Sequence, residues 1–356
     1  MNDDNFRKKL KVLIASPLED EQVARIRAVA PDRVDVVHLP HLLPPTRYTA
    51  DHTGVAGFER APDDERTWRE QLAEADILWD FPADLADGTP GLAVASKVKW
   101  IQATSSGIGQ KVEKLGLQGT DILLTTARGV HATPLSEFVF HSLISHWKRI
   151  AHVQAEQARH HWERFCGEEL AGKTLAIIGV GGVGRRIIKI GRAFDMRLVA
   201  LARPGSNHTA ETLGVDRLFA RDELHQMLGE ADALVLIMPL VPETHHMIDR
   251  AAIAAMKPGM VLVNIARGAV IDEQAMIDAL KSGGISFAAL DVFTTEPLPE
   301  SSPLWDLPNV LVSPHSASTA TSENAKIADI FCHNLECFID DRFDDMKNMH
   351  NHVLAY

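Results

Sequence analysis

Short apolar runs alternate with helical patterns along most of this chain, and this alternation restricts the possible folds strongly. Five strand-like runs precede residue 130, namely KVLIAS, VDVVHL, ADILWD, VKWIQAT and DILLTT. Six more follow residue 170, namely KTLAIIGV, RLVALAR, ADALVLIM, MVLVNIA, ISFAALDV and VLVSPH. Amphipathic stretches such as DEQVARIRAVA lie between several of them. Because strands joined through helices form parallel sheets covered on both faces, the chain is predicted to be α/β with two parallel sheets.

A change of period marks the boundary between the two series. Residues 134–162 predict one long helix, because Pro134 is allowed in a first helical turn and the pattern after it is helical. The length of 356 residues also exceeds the usual size of one hydrophobic core. We therefore predict two α/β units, and the tail SENAKIADIFCHNLECFIDD predicts a last helix with no strand after it.

Composition argues against several classes of function. The net charge of −12 disfavours nucleic-acid binding, which needs a basic surface. No apolar run approaches the length of a membrane span. The three cysteines, Cys166, Cys332 and Cys337, form no C-x-x-C pair, which fits a reducing compartment. We expect a soluble cytoplasmic protein with neither a nucleic acid nor a membrane as partner.

A glycine-rich run follows the apolar strand TLAIIGV and opens the helical stretch GRRIIKIGRAF. This context is the one that a dinucleotide fingerprint requires. Gly179 is expected to make the tight turn, Gly181 to let the backbone approach a pyrophosphate, and Gly184 to let helix and strand pack closely. Helix N-terminal amides would then meet the phosphate charge. A methyltransferase that binds S-adenosylmethionine is the alternative, since it also places glycine after a strand.

The next strand, LVALAR, ends without the expected carboxylate, because Ala202 and Arg203 stand there. An acidic residue at this point would bind the ribose hydroxyls of NAD and repel a 2′-phosphate. That repulsion amounts to roughly 4 kcal/mol for two charges about 4 Å apart at an effective dielectric of about 20. Arg203 offers a guanidinium suited to a phosphate, and Pro204 and Ser206 lie on the same loop. The sequence predicts an NADPH preference; the alternative is a solvated Arg203 and the use of either coenzyme.

Polar residues follow three later strands. Arg267 lies in VLVNIARGAVID, Asp291 and Glu296 lie in FAALDVFTTEP, and His315 lies in VLVSPHSAS. Ligands of open α/β sheets bind beyond the carboxyl ends of the strands, so these side chains are expected at one cleft. A histidine can give or take a proton near neutral pH, and a neighbouring carboxylate can orient it. An arginine can bind a substrate carboxylate and polarise a carbonyl.

The order of these motifs, GxGxxG, NIARG, ALDVFTTEP and SPH, resembles the D-isomer-specific 2-hydroxyacid dehydrogenase family, in particular its NADP-preferring glyoxylate/hydroxypyruvate reductases. The segments MPLVPETHHMID, ATSSGIG and TTARGVHATPLSEFV resemble the same family. The resemblance implies that His315 is the acid/base and Glu296 its carboxylate partner. It further implies that Arg267 binds the substrate and that Asp291 lies at the nicotinamide carboxamide. The family usually has Asp where this chain has Ala202.

The resemblance also implies two sets of binding residues. The substrate set is Ser105, Ser106 and Gly107, whose loop amides would hold the carboxylate, together with Arg267 and His315. The coenzyme set is Gly179, Gly181, Gly182, Val183, Gly184, Ala202, Arg203, Pro204, Ser206, Pro239, Thr244, Ile265, Ala266, Arg267, Asp291 and His315. Trp79 and Phe81 are candidates either for the wall of the substrate pocket or for the core.

The implied architecture is discontinuous. Residues 1–131 and 319–356 would form a flavodoxin-like substrate domain, and residues 132–318 a Rossmann domain for NAD(P) inserted into it. Relatives are generally dimers packed through the coenzyme domains and the long helix, so a homodimer is expected.

The predicted function is hydride transfer between NADP(H) and a 2-oxo acid/D-2-hydroxy acid pair, with reduction of glyoxylate or hydroxypyruvate favoured. One alternative is an NAD(H)-sensing binding protein on a dehydrogenase fold. Another is an NAD-dependent D-2-hydroxyacid dehydrogenase with a different substrate. The pairs His160-His161 and His245-His246 lack the spacing of a zinc site, so no metal is predicted.

Overall fold

The computed structural model describes residues 9–203 and 205–350, and the chain divides into two compact units. The first unit comprises the described residues up to Val130 and those from Thr319 onward, and the second comprises His131–Ser318. Each unit contains its own parallel sheet with helices. This confirms the predicted fold class.

The first unit has five parallel strands in the order β2-β1-β3-β4-β5, the flavodoxin-like order. Its elements before the second unit are β1 (Leu10–Ile14), α1 (Asp20–Val29), β2 (Val34–Val37), α2 (Pro62–Glu74), β3 (Ile77–Trp79), α3 (Gly91–Val94), β4 (Trp100–Gln102), α4 (Gly109–Lys114) and β5 (Leu123–Thr125). Trp79 and Phe81 are both buried in the hydrophobic core of this unit. Both aromatic side chains therefore belong to the core of this unit, which was one of the two expectations for them.

The second unit opens with two helices, α5 (Ala132–Trp147) and α6 (Ile150–Ala158). The prediction of one helix over 134–162 is wrong, because Arg149 adopts a left-handed conformation with φ 54°. α5 buries an apolar face that includes Val139 and Leu143, whereas no residue of α6 is buried. Packing against the core of the unit therefore fixes α5. No such packing extends to α6, so nothing in the core keeps the two helices on one axis.

Seven parallel strands follow in the order β12-β11-β10-β9-β6-β7-β8, the Rossmann order with one added strand. The elements are β6 (Thr174–Ile178), α7 (Gly182–Ala193), β7 (Arg197–Leu201), α8 (Ala210–Leu213), β8 (Arg217–Phe219), α9 (Leu224–Glu230), β9 (Ala233–Leu236), α10 (Arg250–Ala254), β10 (Met260–Asn264), α11 (Glu273–Ser282), β11 (Ile285–Leu290) and β12 (Val310–Val312). The sequence did not predict β8, a three-residue edge strand in which only Phe219 is buried.

The last helix, α12 (Glu323–Ile339), returns to the first unit and packs against α1. Its Phe331 is fully buried and stacks on Trp100 with ring centroids 4.8 Å apart. Beyond it, the backbone of residues 348–350 pairs with β5, since Thr126 N–H donates to the Asn348 carbonyl and His350 N–H to the Leu124 carbonyl. The core of the first unit thus combines the two ends of the described chain.

Across the described residues, no helix combines the length and apolarity that crossing a membrane requires. The same residues contain no group of three or more His, Cys, Asp or Glu side chains that could hold a metal ion.

Candidate active site

The glycine-rich turn joins β6 to α7, which begins at Gly182. Gly179 has φ 111°, and a Cβ there would lie 2.8 Å from the backbone of Ile237 and Met238. A Cβ at Gly184 would lie 2.2 Å from the Gly179 carbonyl oxygen, so this glycine permits the close contact of helix and strand. A Cβ at Gly181 would meet no atom within 4 Å. The open backbone at Gly181 and the helix N-terminus suit the pyrophosphate of a dinucleotide.

At the end of β7, a methyl group and a guanidinium replace the carboxylate that NAD-binding folds use. Ala202 N–H donates to the Phe219 carbonyl at 2.7 Å, which fixes the strand end beside β8. A turn follows in which Ser206 N–H donates to the Arg203 carbonyl at 3.1 Å. Arg203 is exposed. Pro204, part of the predicted coenzyme set, lies outside the described residues.

The Thr244 side chain stabilises the turn that follows β9. Its hydroxyl accepts from the Val241 N–H at 2.9 Å and donates to the Pro239 carbonyl at 2.7 Å. β9 is the neighbour of β6 in the sheet, and Ile237 lies against Gly179. The segment with Pro239 and Thr244 is therefore placed beside the glycine turn, at the switch point of strand order where ligands of such sheets bind.

Arg267 follows β10, in a turn fixed by a buried amide. Asn264, 1% exposed, accepts from the Ala266 N–H at 3.0 Å and donates to the Arg267 carbonyl at 3.1 Å. Ile265 and Ala266, both in the predicted coenzyme set, are buried. The Arg267 side chain is exposed, and its guanidinium donates to the Ala266 carbonyl at 2.7 Å.

Glu296 and His315 form a direct pair. The His315 Nδ1 lies 2.7 Å from the Glu296 Oε2, and the other carboxylate oxygen, Oε1, accepts from the Phe293 N–H at 2.9 Å. Both side chains are partly exposed, 46% for His315 and 35% for Glu296. Because a carboxylate can only accept, Nδ1–H donates to Glu296, and Nε2 is the nitrogen left to exchange a proton with a ligand.

Asp291 fixes the turn that carries His315, a contact that the sequence did not predict. Its Oδ1 accepts from the Ser313 hydroxyl at 2.5 Å and from the N–H groups of Ser316 and Ala317 at 2.9 Å. Within this turn His315 has φ 54°, a conformation that needs such support. The carboxylate is buried, and burial raises the pKa of Asp291 above its usual value. The sequence signal was the serine on either side of the Pro-His pair.

The three polar segments therefore follow β10, β11 and β12, which are neighbours in the sheet. The second unit joins Glu296 to His315 directly, while the hydrogen bond of the Arg267 side chain goes to Ala266. An imidazole held by a carboxylate can transfer a proton to a bound carbonyl oxygen, and an exposed guanidinium that follows a strand of the same sheet can polarise such an oxygen.

The predicted substrate loop lies in the first unit, directly after β4. Thr104, the residue before Ser105, donates through its hydroxyl to the Asp80 carboxylate at 2.8 Å. The second Asp80 oxygen accepts from the Phe81 N–H at 2.8 Å. The Ser105 carbonyl accepts from the Ala127 N–H at 3.1 Å. Asp80, overlooked at the end of the run LWD, thus anchors the loop that contains Ser105, Ser106 and Gly107.

Comparison with known sequences identifies related proteins. Residues 140–317, half of the chain, match the model of the family "D-isomer specific 2-hydroxyacid dehydrogenase, NAD binding domain". A glyoxylate reductase of Aeropyrum pernix is 30% identical over 78% of this chain and 84% of its own length. A D-3-phosphoglycerate dehydrogenase of Methanocaldococcus jannaschii is 36% identical over 65% of this chain. The match covers only 44% of that relative's length.

Solved structures match almost the whole chain. A D-isomer specific 2-hydroxyacid dehydrogenase family protein of Aeromonas salmonicida is 30% identical with a TM-score of 0.74, covering 97% of this chain and 99% of that one. An NADPH-dependent glyoxylate/hydroxypyruvate reductase of Sinorhizobium meliloti, solved with NADP and sulfate, also has a TM-score of 0.74. At 22% identity, covering 98% and 100% of the two chains, it shows a shared fold.

Proposed function

Because this chain belongs to the D-isomer specific 2-hydroxyacid dehydrogenase family, we propose that it is an NADP(H)-dependent reductase of small 2-oxo acids of the glyoxylate and hydroxypyruvate type. The observation that carries the proposal is the 2.7 Å contact between Glu296 and His315, after β11 and β12 of a Rossmann sheet. A pure coenzyme sensor would have no use for an acid/base pair at this edge.

The mechanism assigns each side chain one task. When bound, the reduced nicotinamide supplies the hydride for the 2-keto carbon. His315 delivers the proton from Nε2 to the keto oxygen, while Glu296 holds the Nδ1 side of the ring and stabilises its positive charge. Arg267 binds the substrate carboxylate and polarises the carbonyl. The amides of Ser106 and Gly107 complete the binding of the carboxylate.

Coenzyme binding is assigned to the second unit. The glycine turn would hold the pyrophosphate through Gly181, Gly182 and Val183, and Thr244 would shape the adjoining loop. The preference for NADP(H) rests on Arg203, with Ala202 removing the repulsion that an acidic residue would exert on a 2′-phosphate. The Sinorhizobium meliloti protein, described as NADPH-dependent, is consistent with this preference.

We also propose a two-domain homodimer in the cytoplasm. The substrate domain comprises residues 1–131 and 319–356, and the coenzyme domain residues 132–318. α6 buries no residue, and Trp162, just beyond it, is 93% exposed, so a partner surface is expected there. Sedimentation should give a dimer that Trp162→Ser weakens; a wild-type monomer at micromolar concentration would refute the assembly. The three cysteines are free thiols, which fits a reducing compartment.

A substrate panel tests the proposed activity. Glyoxylate, hydroxypyruvate and larger 2-oxo acids are offered with NADPH, and its oxidation is followed by absorbance, beside His315→Ala. Turnover with at least one acid, lost by more than about 100-fold in the variant, is expected because general acid catalysis contributes 10²–10⁴-fold. Absence of turnover with every acid, while NADPH still binds, would favour the coenzyme-sensing alternative.

Oxidation of D-3-phosphoglycerate with NAD is the second candidate. The 36% identity to the Methanocaldococcus jannaschii enzyme favours it. The panel is therefore extended to D-3-phosphoglycerate with NAD, and to each 2-oxo acid with NADH. A kcat/KM for D-3-phosphoglycerate and NAD above that for every 2-oxo acid and NADPH would replace the first proposal. An NAD-dependent enzyme for another 2-hydroxy acid would appear as NADH preference with the same acids.

A further inference from the structure

Gly268 lies where two parts of the candidate site meet. It follows Arg267 in sequence, and its α-carbon faces the peptide bond between Phe293 and Thr294. A Cβ on Gly268 would lie 1.9 Å from the Phe293 carbonyl carbon, 2.1 Å from its oxygen and 2.3 Å from the Thr294 nitrogen. Every one of these atoms belongs to backbone, which cannot rotate away as a side chain would. Only glycine allows the two segments to come this close.

The Arg267 side of this contact is rigid. The Arg267 carbonyl accepts from the Asn264 side chain at 3.1 Å and from the Val270 N–H at 3.4 Å. Asn264 also fixes the Ala266 N–H, and Gly268 itself is buried. The turn is therefore held on both sides of Arg267, so an atom added at Gly268 would move the arginine backbone or the facing peptide.

The facing peptide is tied to the acid/base pair. Phe293 N–H donates to the Glu296 Oε1, and Glu296 Oε2 contacts His315. On the other side, Thr294 N–H donates to Glu273 at 3.1 Å. A displacement of the 293–294 peptide is thus passed to Glu296 and from there to the imidazole.

We propose that Gly268 is a positioning residue that sets the separation between Arg267 and the Glu296–His315 pair. This inference rests on the proposed reductase function. Gly268 touches neither substrate nor coenzyme in this role. It fixes the distance between the group that binds the substrate carboxylate and the group that protonates the keto oxygen of the same molecule. Neither the glycine fingerprint nor the acid/base pair by itself requires a glycine here.

The test compares Gly268→Ala with Gly284→Ala, a control in the same unit where an added Cβ would meet its nearest atom at an ordinary 3.6 Å. A displacement of about 1 Å can cost roughly 100-fold in rate, so Gly268→Ala should lower kcat/KM for the preferred 2-oxo acid by about that factor. It should also weaken binding of oxamate, a 2-oxo acid analogue. Gly284→Ala should keep both within threefold. Retention of both properties by Gly268→Ala would overturn the proposal.

A double-mutant cycle separates positioning from general damage. In a Glu296→Ala background the route from Gly268 to His315 is already cut, so Gly268→Ala should then cost less than about 10-fold. The same factor in both backgrounds would contradict the coupling. If Gly268→Ala fails to fold, Glu273→Ala loosens the same peptide from outside and should lower kcat/KM several-fold in the wild-type background only; equal factors in both backgrounds overturn the proposal here too.

Failure of the proposed function would be recognised separately. It would appear as a wild-type protein that turns over no 2-oxo acid. The positioning role would then be decided by crystal structures of Gly268→Ala, or of Glu273→Ala if the former does not fold, and wild type. A shift of less than about 0.5 Å in both Arg267 and the Glu296–His315 pair would overturn it, because productive geometry tolerates displacements of that size.

Discussion

Replacing Glu296 by glutamine tests the acid/base assignment with little change in shape. The carboxylate makes two contacts, one to His315 Nδ1 at 2.7 Å and one to the Phe293 N–H at 2.9 Å. Glutamine retains an oxygen for Phe293 and loses the negative charge beside the imidazole. The substitution therefore removes the negative charge, and the acceptor that faces Nδ1, with little change in the size of the side chain.

The size of the effect follows from the exposure of the pair. At about 4 Å between charge centres and an effective dielectric of about 20, the attraction between a carboxylate and an imidazolium is roughly 4 kcal/mol. Solvent reduces it, because the side chains are 46% and 35% exposed. Hydrogen bonds to charged groups contribute a net 1.5–3 kcal/mol, roughly. At about 1.4 kcal/mol for each factor of ten, Glu296→Gln should lower the rate of the proton-transfer step by roughly 10- to 100-fold.

Oxidation of D-glycerate with NADP is the most direct assay, since positive charge then develops on His315 as the hydroxyl proton is taken. Single-turnover measurement is preferred because it reports chemistry instead of product release. Glu296→Ala is the companion variant, and it should lose more because the Phe293 N–H is also released. A single-turnover rate constant for Glu296→Gln within threefold of wild type would refute the role of the carboxylate.

Three other predictions concern separate features. Asp291→Ala leaves the Ser316 and Ala317 amides unpaired, so the free energy of unfolding measured by chemical denaturation should fall by about 2–3 kcal/mol, and kcat should also fall. An unchanged free energy of unfolding would contradict the role of Asp291 in fixing the turn that carries His315. Arg203→Ala should lower kcat/KM for NADPH about 10-fold or more and leave NADH nearly unchanged, since bidentate phosphate contacts are charge-assisted; equal losses would refute the preference. Burial lowers the pKa of His146, so its contribution to stability is present above the unfolded value of about 6.5 and is lost as pH falls through the lower folded value. The Tm of His146→Phe should therefore fall less than the Tm of wild type when the pH is lowered from about 7.5 to about 5. An identical fall in Tm would contradict the role of His146 in this pH dependence.

The sheets were predictable because most of their strands are short apolar runs, and the central ones are buried over their whole length. β6 and β9 bury every residue, which periodicity detects readily. β8 escaped because a short edge strand with one buried residue has no such pattern. The break at Arg149 was not predicted because the local sequence does not show that α6 lacks contact with a core. Tertiary packing, not helix propensity, decides where that helix ends.

The candidate site was predictable as far as its chemistry lies in short motifs. Arg267, Glu296 and His315 each stand in a strand-to-loop context that is visible in the sequence. The residues that hold them were not visible, because their partners come from other strands. Asp80 anchors the substrate loop through its hydrogen bond with Thr104, and Gly268 is required by its close approach to a peptide 25 residues further along the chain. Contacts of that kind depend on the order of strands in the sheet, which no local pattern encodes.

The pairing of β5 with residues 348–350, and the insertion of Phe331 against Trp100, carry a consequence for synthesis of the protein. On the ribosome, residues 131–318 are complete well before the aromatic centre of the first unit receives its last ring. Domains usually fold as they emerge, beginning with the N-terminal one. Here the earlier-made strands must wait with Trp79 and Trp100 uncovered, and we expect chaperone dependence to be greatest after β5 is made and before α12 becomes available.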